Sequence, residues 1–301
     1  MKIAVTGAYS YTGKYVARRL VERGEPVITL TNHPDRPDPF EGKVKAFPLD
    51  FTNERGLTDS LGGCAVLVNT YWVRFDRGIN TQAAGVENTR TLVRAAQRAG
   101  VGRLVHISIA NPDPDSPLPY YRGKAANEKI VTASGIPYAI LRPTLIFGKE
   151  DILINNIAWL LRRFPFFAQI GDGAYQVQPV YVDDLAEIAC QSAYTQENRV
   201  VDVVGADTFP FDDLVRLVGQ SIGHPRPILH VPPPLALAAS RLLGVLVGDV
   251  LLTQQEVTGL MAGFLVSSEP ALGRTRLADW LEQNRDLVGG KYASELARHY
   301  R

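Results

Sequence analysis

A short apolar run, Ile3-Ala4-Val5, passes straight into the glycine-bearing turn Thr6-Gly7-Ala8-Tyr9-Ser10-Tyr11-Thr12-Gly13, and from there β-rich and helical stretches alternate. The pattern predicts strands over residues 3–6, 26–31, 45–49, 65–69, 103–108, 138–143 and 200–204. Helical stretches fall between them, over 13–23, 82–99 and around Tyr120. Parallel strands need long crossovers, usually helices, so this alternation predicts an α/β protein with a doubly wound parallel sheet. Beyond residue 148 strands become few, and the segments 152–163 and 211–301 read mainly as helices, a smaller C-terminal lobe. The expected division is 1–148 with 178–205 for the sheet domain, and 149–177 with 206–301 for the lobe.

A strand, a glycine turn and a helix in succession form a dinucleotide-binding pattern. The first glycine permits the tight turn, the middle one lets backbone approach a pyrophosphate, and the last lets helix and strand pack closely. Gly7 and Gly13 hold the outer positions and Ser10 replaces the middle one. With Tyr9 and Tyr11 they line the turn, and the hydroxyls of Ser10 and Thr12 are candidate donors to a phosphate, beside the helix N-terminal amides. The alternative is a plain strand-to-helix turn. After the second strand comes Thr31-Asn32-His33-Pro34-Asp35-Arg36, with no carboxylate at the strand end. Asn32, His33 and Arg36 suit a ribose 2′-phosphate, which favours NADP; NAD returns if Asp35 turns inward. Asp50 and Phe51 close the third strand where an adenine edge would lie, a solvated turn being the other reading of Asp50. The backbone of Asn69, Thr70 and Tyr71, after the fourth strand, would pass under a nicotinamide ribose.

Tyr120 and Lys124 stand four residues apart on an expected helix, so phenol and ammonium share one face. A cation there lowers the phenol pKa and lets it pass a proton to or from a carbinol oxygen near neutral pH. Either residue alone is common on solvated helix faces; behind a dinucleotide turn the pair points to nicotinamide chemistry. Tyr71, Trp72 and Phe75 could wall a flat or apolar substrate or pack beneath the lobe, and Asn155 is a polar candidate from the lobe.

Composition narrows the partners. Thirty-two basic against 31 acidic residues leave a charge of +1, which disfavours nucleic acid and polyanions. Cys64 and Cys190 sit in apolar stretches and read as buried free thiols, with neither a disulfide nor a metal site expected. That fits a reducing cytoplasm, as does a strand beginning near Met1 with no room for a signal peptide. Residues 235–252 are long and apolar, but Arg241, Gly244, Gly248 and Asp249 interrupt a membrane span. A buried or partner-facing helix is expected there, with peripheral membrane contact and a homo-oligomer left open.

The 7–13 turn, Leu49-Asp50, Tyr120 with Lys124, Leu141-Arg142-Pro143-Thr144-Leu145-Ile146-Phe147-Gly148, Gly171-Asp172-Gly173 and Val180-Tyr181-Val182-Asp183-Asp184-Leu185-Ala186 together resemble the extended and atypical short-chain dehydrogenase/reductase superfamily. The likeness covers residues 1–205 and is greatest to the branch of the NmrA-like proteins and the nucleotide-binding accessory subunit of respiratory complex I. It implies a Rossmann domain, a small substrate lobe, a bound nicotinamide dinucleotide that Pro143 and Lys124 also contact, and Tyr120 as proton donor. The family usually places a Ser or Thr hydroxyl beside the Tyr; His106-Ile107-Ser108-Ile109-Ala110-Asn111 puts Ala110 there, leaving Ser108 at the strand end and Asn111 as a substitute donor. The expected function is an NADP-dependent oxidoreductase reducing a carbonyl-type small molecule. The alternatives are a non-catalytic NADP-binding sensor or assembly subunit, and then a nucleotide-sugar epimerase or dehydratase.

Overall fold

The computed structural model describes residues 1–249 and 253–300, so the apolar stretch 235–252 ends outside the described residues, at Val250, Leu251 and Leu252. In chain order the elements are β1 (Ile3–Thr6), α1 (Tyr11–Glu22), β2 (Val27–Thr31), β3 (Val44–Pro48), α2 (Glu54–Leu61), β4 (Val66–Asn69), α3 (Gln82–Arg98), β5 (Arg103–Ile107), α4 (Pro119–Thr132) and β6 (Tyr138–Pro143). There follow β7 (Leu145–Phe147), α5 (Leu153–Arg163), β8 (Phe167–Ile170), β9 (Gln176–Val177), β10 (Pro179–Tyr181), α6 (Val182–Tyr194) and β11 (Arg199–Val203). The chain finishes with β12 (Phe209–Pro210), α7 (Phe211–Ser221), β13 (Ile228–Val231), α8 (Pro233–Val247), α9 (Gln254–Met261), α10 (Leu277–Asn284) and α11 (Glu295–Tyr300).

Two compact units result. The first comprises Met1–Pro143 and Val182–Val203. Its seven strands lie in the order β11-β6-β5-β4-β1-β2-β3, every neighbouring pair parallel. This is a Rossmann-type α/β fold, as the alternation predicts. β1, β2, β4 and β5 are buried along their whole length, because helices cover both faces of a parallel sheet. Ala4, Ile28, Leu67 and Leu104 from the sheet meet Leu57 and Leu61 of α2 and Leu92 and Ala96 of α3 in one core. β1 lies between β2 and β4, so chain order reverses beside it. Ligands of such sheets sit outside the carboxyl ends at that reversal, which is where β1 runs into the Gly7 turn.

The second unit, Thr144–Tyr181 with the chain from Val204 onward, is mainly helical. Its core gathers Phe147, Ile154, Leu161, Phe167, Leu214, Val218 and Trp280. It also holds three two-stranded ladders, β10 with β7, β12 with β9 and β13 with β8, that the sequence pattern does not announce. They are two to four residues long and pair segments far apart in the chain, so no local periodicity marks them. Among the described residues no helix is long and apolar enough to cross a membrane. Cys64 and Cys190 are buried and unpaired.

Candidate functional site

Gly7 leaves β1 with φ +65°, a left-handed conformation that side-chain-bearing residues resist. Its carbonyl accepts from Ser10 N at 2.8 Å and from Ser10 Oγ at 2.6 Å. The hydroxyl assigned above to a phosphate therefore closes the turn, and Ser10 has no proton left to offer. A β-carbon on Gly13 would stand 2.3 Å from Gly7 O and 2.7 Å from Gly7 C, so helix and turn meet at backbone contact. Ser10 is the N-cap of α1, and Lys14 N is bonded to Ser10 O. The amides of Tyr11, Thr12 and Gly13 come before that bond and have no carbonyl within the helix. The first turn carries no acid to neutralise its partial positive charge. A glycine cradle ahead of such a helix end fits a pyrophosphate.

Tyr9 packs its ring on Phe40, centroids 6.3 Å apart, and donates to Val44 O, which ties the turn to the chain after β2. At the carboxyl ends of β2 and β3 a cleft of about 300 Å³ opens, lined by Thr31, Asn32, Pro34, Pro48, Leu49 and Asp50. The cleft brings together two residues chosen from sequence, Asn32 and Asp50. Asp50 Oδ1 accepts from Thr52 N and Thr52 Oγ1, and these bonds hold its carboxyl below the usual range. His33 N donates to Thr31 Oγ1 and Arg36 N to His33 O, so both residues sit in the turn leaving β2. Arg36 is half-buried, and that burial lowers its pKa.

β1, β4 and β5 are joined at their carboxyl ends by a buried polar network. Thr6 Oγ1 donates to Asn69 Oδ1 and accepts from Thr70 N at 2.7 Å and Tyr71 N at 3.1 Å, while Thr70 Oγ1 donates back to Thr6 O. Asn69 Oδ1 also accepts from Tyr71 N, which leaves its amide to donate to His106 Nδ1 at 3.1 Å. His106 is thus fixed as the tautomer carrying its proton on Nε2. Burial, with Lys124 beside it, pulls its pKa down to about 3. In the unfolded chain the ring takes a proton below about pH 6.5. The folded ring stays neutral until about 3, so acid favours unfolding across that window. The expected result is that wild-type protein loses on the order of 4 kcal/mol relative to His106→Gln between those limits, read from denaturant melts at stepped pH. Parallel curves for the two proteins would refute it.

Pro119 starts α4 and places Tyr120 in its first turn, with Lys124 one turn on and 4% exposed. Lys124 Nζ donates to Ile107 O at 3.2 Å and lies 5.1 Å from the centre of the Trp72 ring. Burial pulls the ammonium down to about 7, against the pull of Glu128. Trp72 meets Tyr120 edge-on, centroids 5.8 Å apart. The indole has room because Gly123 and Gly85 lie against it; β-carbons there would stand 2.5 Å and 3.4 Å from its ring atoms. The Tyr120, Lys124 and Trp72 side chains therefore form one assembly above the end of β5.

Other sequence choices separate from it. Tyr71 turns the other way, its ring 4.7 Å from Phe51 and its hydroxyl accepting from Asn88, so it packs with the core rather than beside Trp72. Ser108 is buried and donates to Glu128 Oε1 at 2.6 Å; that bond takes its only proton. Ala110 is fully buried with its amide on Pro143 O, and Asn111 is exposed at φ +55°. Phe75 is half-buried in the loop after β4. Asn155 belongs to the second unit, where its amide donates to Asp151 and its Oδ1 accepts from Gly289 N. That is a structural lock within the unit. Reasoning from sequence missed Glu128, which takes a two-pronged contact from Arg142, at 2.9 Å through Nε and 2.6 Å through Nη2, one turn beyond Lys124. The available signal was spacing: Glu128 is four residues after Lys124 and so on the same helix face.

Residues 7–153 match the family of NAD(P)H-binding domains. The chain is similar to the mitochondrial NADH dehydrogenase [ubiquinone] 1 alpha subcomplex subunit 9 of Arabidopsis thaliana, 24% identical over 245 residues that cover 78% of this chain and 61% of that protein. It therefore spans less than two thirds of that relative's length. In fold it is similar to the triphenylmethane reductase of a Citrobacter species, with a TM-score of 0.78, 18% identity, and 95% of this chain and 100% of that one covered. It is likewise similar to the NADPH-dependent quinone oxidoreductase of Escherichia coli, complexed with NADPH, with a TM-score of 0.76, 22% identity and coverage of 93% and 99%. The fold is that of NAD(P)-binding reductases and epimerases.

Proposed function

We propose that this chain, whose residues 7–153 match the NAD(P)H-binding family and which resembles the complex I accessory-subunit and NmrA-like branch of the short-chain dehydrogenase/reductase superfamily, is an NADPH-dependent reductase of a flat, carbonyl-type small molecule. The observation that carries the reading is the Tyr120 and Lys124 pair, held on one face of α4 with the ammonium buried and its pKa near 7. The first unit is the cofactor domain: the Gly7 turn and the α1 amides hold the pyrophosphate, and Asn32, His33 and Arg36 hold the adenosine end. When bound, the dinucleotide supplies hydride. Tyr120 gives the proton to the forming alkoxide, Lys124 keeps the phenol acidic, and Trp72 offers a flat wall beside both.

A sensor or assembly subunit that binds NADP without turnover is the second reading. It is favoured by Ala110 in place of a hydroxyl and by Ser108 being committed to Glu128.

The test begins with fluorescence titration by NADPH and NADH. NADPH should bind at least about tenfold more tightly, and Arg36→Ala should erase most of that difference. Equal affinities in the wild type would reject the NADP assignment. NADPH oxidation against quinones and aromatic and aliphatic carbonyls then separates reductase from sensor.

A further inference from the structure

The second unit carries a surface that the proposed chemistry does not use. α5 ends in Arg162 and Arg163, and the chain runs through Phe164, Pro165 and Phe166 into β8. β8 pairs in parallel with β13, with Ala168 opposite Leu229. Alternate residues of a strand take opposite faces. Phe167 and Gln169 accordingly face the core, while Phe166, Ala168 and Leu229 point outward together. Phe164 is 37% exposed, Phe166 44%, Leu229 47% and Leu235, just past β13, 63%. Trp159 lies one turn back on α5, its ring meeting Phe164 at 6.2 Å and Tyr292 at 5.4 Å between centroids.

The arginines beside this apolar face are left without carboxylate partners. The sequence contains no Asp or Glu over 152–171 or over 214–248; the third segment at this face, 285–292, carries the exposed Asp286, and the Tyr292 hydroxyl donates to Asp249. Arg163 stacks its guanidinium 4.7 Å from the Trp159 centroid and reaches only carbonyl oxygens; Arg162 and Arg226 also donate only to carbonyls. None of the three meets a carboxylate among the described residues.

We propose that this face is a peripheral docking site for an anionic phospholipid bilayer. Phe164, Phe166 and Leu229 enter the interface, Trp159 and Tyr292 sit at head-group depth, and Arg163 and Arg226 meet lipid phosphates. Apolar insertion or a basic patch alone binds a bilayer weakly, and stable attachment takes both. Both occur here on one surface. Trp and Tyr are the residues that suit the interface between tails and water. A partner protein would match the apolar area without requiring arginines that lack carboxylate partners.

The experiment is co-sedimentation of the full chain with phosphatidylcholine vesicles, plain or with about one third phosphatidylserine. Binding to the anionic vesicles is expected, at least about tenfold weaker on the neutral ones and weakened by salt. Phe164→Ser with Phe166→Ser should cut it by about tenfold or more, NADPH affinity being unchanged. Leu229→Ser, an exposed position on the sheet face, gives an independent reading if the double variant does not fold. No sedimentation of wild type with anionic vesicles, or equal binding by the variants, overturns the proposal. So does a concentration-dependent dimer that the variants abolish, which would assign the face to a second copy of the chain.

Discussion

Gly13→Ala weakens binding of NADPH and of NADH by at least about a hundredfold, the expected result of adding one methyl group at the tightest point of the first turn. The new β-carbon would lie 2.3 Å from Gly7 O, 2.7 Å from Gly7 C and 2.9 Å from Thr6 O. All three are backbone atoms, so no side chain can swing aside to make room. Relief requires α1 to move away from β1, which misaims the amides of Tyr11 to Gly13 and breaks the Ser10 to Gly7 contacts that shape the cradle. Overpacking of this kind costs about 1–3 kcal/mol of stability, so the variant should still fold. Gly102→Ala is the control: its β-carbon meets Ala65 O at an ordinary 3.5 Å, and binding should be unchanged. Cofactor fluorescence titration beside thermal melts decides the matter. A folded Gly13→Ala protein with wild-type affinity would remove the dinucleotide from this turn.

The same turn illustrates what a sequence of this kind discloses. Strands β1, β2, β4 and β5 are legible because each carries a short run rich in Val, Ile and Leu and is punctuated by Gly, Pro or Asn. The start of α1 is less so. A reading that waits for the last glycine begins the helix at Gly13, whereas the structure begins it at Tyr11 and buries Gly13 in the first turn. Only the contact with Gly7 explains a glycine there, and contacts are not written in local pattern. Side-chain commitments are similarly hidden: the pattern offers Ser10 and Ser108 as donors, but the fold gives their protons to Gly7 O and Glu128. Tyr71 and Trp72 read as one aromatic wall, yet consecutive residues leaving β4 diverge, one to Phe51 and the other to α4. What the pair Tyr120 and Lys124 does announce is a shared helix, on which each side chain meets Trp72, because helix spacing is local geometry.

That pair yields the largest functional effects and an opposite effect on stability. Tyr120→Phe removes the phenol proton and keeps the ring edge on Trp72, so turnover should fall by about 10²–10⁴ while NADPH affinity stays within about threefold. Lys124→Met should lose turnover comparably and weaken NADPH as well, if the ammonium serves both the phenol and the ribose as proposed. Yet Lys124→Met should be the more stable protein at neutral pH. Burial holds the folded ammonium near 7, and the unfolded Lys keeps its proton to about 10.4. Between those values the unfolded chain binds the extra proton, so wild-type stability rises as pH rises. Below about 7 both states are charged and the burial cost is at its full size. The gain on substitution is therefore largest there, on the order of 2 kcal/mol once the lost Ile107 hydrogen bond and Trp72 contact are offset, and it shrinks toward pH 10. Denaturant melts at pH 6.5 and 9.5 read this directly, and a variant destabilised equally at both would show that burial does not pull the Lys124 ammonium below its unfolded range. Ala110→Ser supplies the remaining arm. If wild type binds NADPH tightly, oxidises it with no carbonyl or quinone, and gains nothing from the restored hydroxyl, then the buried lysine serves nucleotide binding alone and the protein is a sensor.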